Sequence, residues 1–430
     1  MSDTSFKLSR RGALLSGVGA AAGLAAFTRS GPVFAQDASA KAAATSTLFS
    51  EEPQPIYKLP HDHRLHRGPT YIHNDFDEWL YFTLLGTDKK TGDRISTFIC
   101  PFHLGWVEAH SGRGNTFNFA FSNLETQEFY SANTVYDGEF TGTAGDPDSE
   151  DFSFEYRISG ASSELSITYD HATETWTYKG HSDIENELNS RYAFDLSFTV
   201  GVPGYVPAAY HGLENIGWDG EGPGYRHNPQ TMAGLTRYIL APRGVLTGTI
   251  TVGGREYDAE GEVWYEHQWG NFRNVQTNNY FWGYMRMEDG TAFTWRQYYI
   301  GKGWDKFDAG MTRFQVIHPD NTVEYAFGPS FVYTPTELWT SPKSGYTYPW
   351  RGIMKTPLGE FYFSPPFEEQ ETPTANGETF IEGVGQIRTG GPDGPIVGTG
   401  FVEMADIIVP FPFRDLPEEE IFLDFSKINR

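Results

Sequence analysis

The chain has 430 residues, a formal net charge of −24, 16% aromatic residues and a single cysteine, Cys100. Such acidity disfavours nucleic acid and anionic membrane surfaces as partners, and one cysteine excludes an intramolecular disulfide. The expected role of Cys100 is that of a small buried apolar residue.

Residues 1–35 read as a targeting segment. Ser9-Arg10-Arg11 opens a soft run rich in Ala and Gly that reaches about Phe27, with Ala13 where such signals usually carry Phe. Arg29 and then Val33-Phe34-Ala35 follow. This is the pattern of a twin-arginine signal cleaved after about Ala35. It implies passage through the twin-arginine translocase to the periplasm or the exterior. Losing Lys7, Arg10, Arg11, Arg29 and Asp3 removes a net +3 and leaves −27. No later run approaches about eighteen consecutive apolar residues, so no stable membrane insertion is expected. About 395 residues remain, beyond the size of about 250–300 at which single cores stop growing, so two domains are expected.

Residues 36–65 are rich in Ala, Ser and Thr and then in Pro, and read as a linker. His61, His63 and His66 in and beside it have metal-like spacing, but a solvated loop is the better account. Strand signals then dominate. Trp79–Leu85 and Ile95–Phe102 flank an Asp/Lys/Gly turn, and similar runs follow at Phe117–Ser122, Phe152–Ser159, Leu165–Tyr169, Thr175–Tyr178 and Phe194–Val200. Later runs are Val245–Val252, Val263–Trp269, Tyr280–Met287, Ala292–Ile300, Thr312–His318, Glu360–Phe363 and Ile396–Glu403. Asp146, Asp148, Glu150 and Asp151 lack the glycine and distal glutamate of a calcium loop and read as an acidic hairpin tip. Val202–Thr231 is a long Gly-rich loop of the kind that forms a lid or binding loop, and Pro329–Arg351 is a second irregular stretch. One short helix is expected, near Pro417–Phe425. Many short strands without alternating helices predict an all-β protein built from antiparallel barrels or sandwiches.

The mature chain carries no G-x-S-x-G elbow, no H-E-x-x-H helix and no phosphate loop. Nothing in it calls for a metal or an organic cofactor. Its densest motif is Gly261-Glu262-Val263-Trp264-Tyr265-Glu266-His267-Gln268-Trp269-Gly270. On a strand, Tyr265, His267 and Trp269 share one face and Trp264, Glu266 and Gln268 the other. A histidine between two aromatic rings is either a satisfied core histidine or a working group.

These residues resemble the signature of the carotenoid 1,2-hydratase and AttH-like family. The resemblance rests on Gly248-x-Ile250-x-Val252-Gly253-Gly254 followed by Gly261-x-x-Trp264-x-x-His267-x-Trp269-Gly270. It extends from Asp77-Glu78-Trp79-Leu80-Tyr81-Phe82, through Asp195–Phe198, His211-Gly212 and Arg237–Pro242, to about Tyr299. The same pattern is similar to that of kievitone hydratase and of lipocalin-like Diels–Alderases. The fold it implies is two lipocalin-like antiparallel β-barrels side by side, expected at 66–270 and 271–430, with a ligand cleft at or between them.

The resemblance assigns His267 and Trp269 to catalysis, with an aromatic residue and an aspartate downstream. Trp295 matches the aromatic; Arg296 or Gln297 stands where the acid would be. Hydrating an alkene starts by protonating it, which needs an acid in an apolar site and aromatic faces to shelter the cation. Candidate catalytic residues are therefore His267, Trp269, Glu266 and Arg296. Candidate substrate contacts are Trp79, Tyr81, Tyr265, Trp282, Trp295 and Gln297. Glu78 and a protonated His267 are further candidates for the acid. Three functions remain open: a hydratase or dehydratase of an isoprenoid-type alkene, a cyclase or isomerase of a hydrophobic polyene, and a binding protein for a hydrophobic small molecule. An ionisable group at the pocket floor would favour the first, neutral donors the second, and a uniformly apolar lining the third.

Overall fold

A computed structural model describes residues 76–104, 115–135, 141–144, 153–160, 162–186, 189–200, 213–214, 235–271, 279–299, 304, 306, 312–373 and 379–405. All of them belong to one compact unit, Thr47–Arg414. The export signal, the linker with His61, His63 and His66, the acidic tip, all but two residues of the Gly-rich loop and the expected helix lie outside the described residues. Among the described residues no helix is long and apolar enough to cross a membrane.

The described chain is almost entirely antiparallel β, with a single 3-10 turn at Gly328–Ser330. The first sheet begins with β1 (Phe76–Asp88), β2 (Arg94–Leu104), β3 (Asn115–Asn123), β4 (Glu128–Val135), β5 (Thr141–Ala144) and β6 (Phe154–Gly160). It continues with β7 (Ser163–Asp170), β8 (Thr175–Ser182), β9 (Tyr192–Thr199), β10 (Leu213–Glu214), β11 (Leu235–Val252) and β12 (Arg255–Asn271). Its order is β4-β3-β2-β1-β12-β11-β9-β8-β7-β6-β5, with β10 on β11. The long central hairpin β11–β12 turns on Gly253 and Gly254, both at positive φ, as a two-residue hairpin requires.

The second sheet comprises β13 (Tyr280–Met287), β14 (Ala292–Tyr298), β15 (Arg313–Ile317), β16 (Val323–Phe327) and β17 (Val332–Thr340). After them come β18 (Thr347–Thr356), β19 (Gly359–Ser364), β20 (Glu371–Pro373), β21 (Thr379–Arg388) and β22 (Ile396–Ala405). Its order is β16-β15-β14-β13-β22-β21-β19-β18-β17, with β20 on β21. The stretch Pro329–Arg351, expected to be irregular, mostly forms the β17–β18 hairpin. Pro335 and two register shifts in β17 break the alternation that would have marked a strand.

Each sheet curls on itself. In the first, Ser190 N donates to Ser131 O and Thr134 Oγ1 meets Tyr192 Oη at 3.0 Å, so the β4 edge closes onto the start of β9. In the second, Gln297 of β14 binds both backbone groups of Tyr333 on β17. Strand alternation then sorts side chains into three apolar layers. One fills the first barrel (Leu80, Phe82, Leu84, Phe119, Trp176, Tyr178, Phe198, Tyr265). A second fills the other barrel (Phe281, Phe293, Trp295, Tyr333, Trp350, Met354). The third lies between the sheets and mixes residues of both (Tyr81, Phe98, Cys100, Trp264, Trp282, Tyr284, Phe401). Across that third layer Thr83 Oγ1 meets Tyr284 Oη at 2.6 Å and the Trp264 and Tyr284 rings stack at 4.2 Å.

Candidate functional site

β1 and β12 pair along their whole lengths, with Leu80 opposite His267 and Glu78 opposite Trp269. Residues opposite each other share a face, so Glu78, Leu80, Tyr265, His267 and Trp269 all point into the first barrel. There His267 Nε2 lies 2.9 Å from Glu78 Oε1, and both side chains are fully buried. The Trp269 ring sits against the imidazole, 4.5 Å between centroids. The pair lies near one end of the barrel, close to the strand ends at Phe76 and Asn271. Deeper along the same face Phe82 packs on Tyr178, Phe198 and Tyr265 at 4.8, 4.4 and 4.9 Å, which closes the barrel's middle with rings.

The opposite face of the same two strands points into the layer between the sheets. Glu266 lies there, accepting a hydrogen bond from Trp264 Nε1 at 2.7 Å. Tyr81 lies there too, edge-on to Trp282 at 5.1 Å, and donates to Glu382 Oε2 at 3.2 Å. Across the second sheet Arg296, Trp282, Glu403 and Glu382 form one row in register. Burial drives the Glu382 carboxyl far above the usual carboxylate range, with Glu266 adding to the rise and the Tyr81 hydrogen bond opposing it. Burial, and then the charge of Glu266, push Glu403 up to about 8. The layer also pushes the Tyr81 hydroxyl and the Cys100 thiol up, by burial first and the acids next. Cys100 is buried and is an inert thiol.

The sequence candidates thus divide among three layers. His267, Trp269 and Tyr265 meet inside the first barrel. Glu266, Arg296, Tyr81, Trp282 and the half-buried Trp79 lie on faces that look into the inter-sheet layer. Trp295 and Gln297 point into the second barrel, where Trp295 stacks on Phe331 at 5.7 Å and the Gln297 amide is spent on Tyr333. Sequence reasoning missed Glu382 and Glu403. Their signal was an acid interrupting an apolar run, in Phe380-Ile381-Glu382-Gly383-Val384 and Phe401-Val402-Glu403-Met404. Among the described residues no group of three or more His, Cys, Asp or Glu side chains is placed to hold a metal ion.

The sequence profile of the AttH-like family matches residues 52–406, most of the chain. The chain belongs to the AttH-like family. The crystal structure of a protein described as an AttH from Nitrosomonas europaea is similar at 17% identity and TM-score 0.61, covering 83% of this chain and all of that one. The crystal structure of kievitone hydratase from Nectria haematococca is similar at 17% identity and TM-score 0.56, covering 82% of this chain and 93% of that one. Both likenesses show the fold: two lipocalin-like antiparallel sheets, as in this AttH-like chain. No curated protein matches it.

Proposed function

We propose that this AttH-like chain is an exported hydro-lyase that adds water to, or removes it from, an isoprenoid-type alkene in a hydrophobic substrate. The observation that carries the reading is the dry Glu78–His267 pair beside the Trp269 ring. A lining for binding alone would be uniformly apolar. This one contains a carboxyl and an imidazole within hydrogen-bond distance, 2.9 Å, an arrangement that costs desolvation energy and is retained where it works. The similarity to kievitone hydratase adds support.

In the forward direction the pair delivers its proton to one alkene carbon, and the π electrons form the new C–H bond. The adjacent carbon becomes cationic beside the Trp269 face, whose quadrupole attracts it. Water attacks that carbon and its surplus proton returns to the carboxylate–imidazole pair. The net change is alkene plus water to alcohol, and the pair ends as it began. The reverse sequence is the dehydration. Rings packed behind the pair keep bulk water from flooding the cation.

The test is incubation of purified protein with isoprenoid-type alkenes in water enriched in heavy oxygen. Incorporation of one labelled oxygen, lost in the Glu78→Gln and His267→Gln variants, supports the reading. No incorporation with any such alkene by the folded protein, or equal incorporation by both variants, overturns it.

A further inference from the structure

The layer between the sheets holds a hydrogen-bond donor with no acceptor among the described residues. Glu382 is fully buried on β21. Tyr81 Oη donates to its Oε2 at 3.2 Å, whereas Oε1 is buried without a hydrogen-bond partner. Burial holds this carboxyl well above the ordinary range, so at mildly acid pH it is a neutral acid. The Tyr81 bond then decides where the proton sits. Oε2 is the accepting oxygen, so the acid's own O–H is on Oε1. A buried donor with no acceptor carries its whole desolvation penalty, which a ligand oxygen would relieve.

The surroundings are ring surfaces. Tyr81 lies 4.8 Å from Phe98 and edge-on to Trp282 at 5.1 Å, and Phe98 stacks on Phe401 at 5.7 Å. The ionisable groups facing this spot are Tyr81 on β1, Cys100 on β2, Glu266 on β12, Tyr284 on β13 and Glu403 on β22. Arg296 on β14 stands at the other end of the row, beyond Trp282. The layer is not sealed here, because Glu403, directly opposite Glu382 in the β21–β22 ladder, is only half-buried. Glu266 disfavours an anion at this place, and a neutral acid offers a cation no charge. A neutral O–H on an apolar wall matches the oxygen of an uncharged carbonyl. A hydroxyl beside a protonated carboxyl in an apolar site is an arrangement suited to binding one.

We propose that the inter-sheet layer is a second binding site, for an apolar ketone: Glu382 Oε1–H donates to the carbonyl oxygen, Tyr81 holds the carboxyl, and the Trp282 and Phe401 rings flank the carbon skeleton. No bond forms or breaks in this step beyond the hydrogen bond itself. The site lies on the opposite face of β1 from Glu78 and His267, so it does not rest on the hydration reading.

The experiment is infrared difference spectroscopy of the whole protein at mildly acid pH with two apolar ketones, β-ionone and geranylacetone, each labelled with carbon-13 at the carbonyl. A protonated carboxyl absorbs apart from a carboxylate. The Glu382 band is assigned by its loss in Glu382→Gln or its shift in Tyr81→Phe. Ketone binding is expected to move both the ketone band and the Glu382 band to lower frequency. Glu382→Leu removes the donor and should weaken both ketones about tenfold, read by tryptophan fluorescence. Glu382→Gln keeps an N–H donor and should retain most of the affinity. Failure of both ketones to bind the folded protein overturns the proposal. So does binding that leaves the Glu382 band unmoved, or equal affinity in folded Glu382→Leu. Binding of geranylamine in place of the ketones, with the acid band replaced by a carboxylate band, overturns it too. If Glu382→Leu fails to fold, the wild-type Glu382 band decides alone: a shift with ketone supports the site and no shift overturns it. The labelled-oxygen test reads Glu78 and His267 on the other face, so the two failures are distinguishable.

Discussion

Glu78 and His267 do not face each other directly. They sit on the diagonal of the β1–β12 ladder, two residues out of register, and Nε2 meets Oε1 at 2.9 Å because both side chains lean along the inner face. Leu80 and Trp269 occupy the directly opposed positions and wall the pair in. This changes what a histidine deletion can report. His267→Ala leaves a fully buried carboxyl without its partner, at a cost of about 3–5 kcal/mol, so lost activity would be confounded with lost fold. Glu78→Gln and His267→Gln keep volume and a hydrogen-bonding atom. Each should reduce alkene turnover by at least about 100-fold, the usual scale for a general acid, with a much smaller fall in melting temperature. Turnover alongside thermal denaturation checks both.

Glu403 sets a pH dependence of stability. Its folded-state pKa is about 8, against 4.5 for the free group. A group with a raised folded pKa stabilises fully below its unfolded pKa, and that contribution is lost as pH rises through the folded value. Stability should therefore fall between about pH 4.5 and 8 by a few kcal/mol, then level as far as this group is concerned. Glu382, its carboxyl also raised well above the ordinary range by burial, adds to the fall in the same direction. Glu403→Gln should flatten the curve and be the more stable protein above pH 8. Urea denaturation at a series of pH values reads this. A Glu403→Gln curve parallel to the wild type would refute it.

Arg243 pegs the two sheets together at the periphery. It sits at positive φ in the irregularity of β11 between Ala241 and Gly244. Its Nη2 donates to the carbonyls of Gly290, Ile317 and His318, and its Nη1 to Asn321 Oδ1. Of those acceptors, Ile317 is the last residue of β15, and Gly290, His318 and Asn321 lie in turns beside the second sheet's strands. Arg243→Lys cannot span the fork and Arg243→Ala removes it. Each is expected to cost about 2 kcal/mol, as for hydrogen bonds to a charged group at a half-exposed position. Arg243→Gly relieves the backbone while losing the same bonds, so it should fall between wild type and Arg243→Ala. Chemical denaturation of the three variants checks the order.

The reading of Arg10-Arg11 as a twin-arginine signal predicts an amino terminus at Gln36. Mass spectrometry of the terminal peptide from the native compartment checks it. Replacing Arg10 and Arg11 with lysine should leave the precursor uncut inside the cell, and a terminus at Gln36 in that variant would refute the route.

Sequence alone determined the local grammar of this protein. Alternating apolar strands, aromatic richness and missing helices implied an all-β chain, and the Trp264 to Gly270 motif carried both the family and the His267–Trp269 face. Period-two alternation makes such faces legible, because any strand must place residues two apart on one side. The Glu78 partnership was not legible. Glu78 and His267 are 189 residues apart, and which glutamate reaches which histidine depends on strand order and register, set by the closure of the whole sheet. For the same reason Glu266, the acid nearest His267 in sequence, belongs to a different layer, with Glu382 and Glu403 from the other sheet. Neighbours along a strand point apart, and only tertiary structure decides which distant strands supply the neighbours in space.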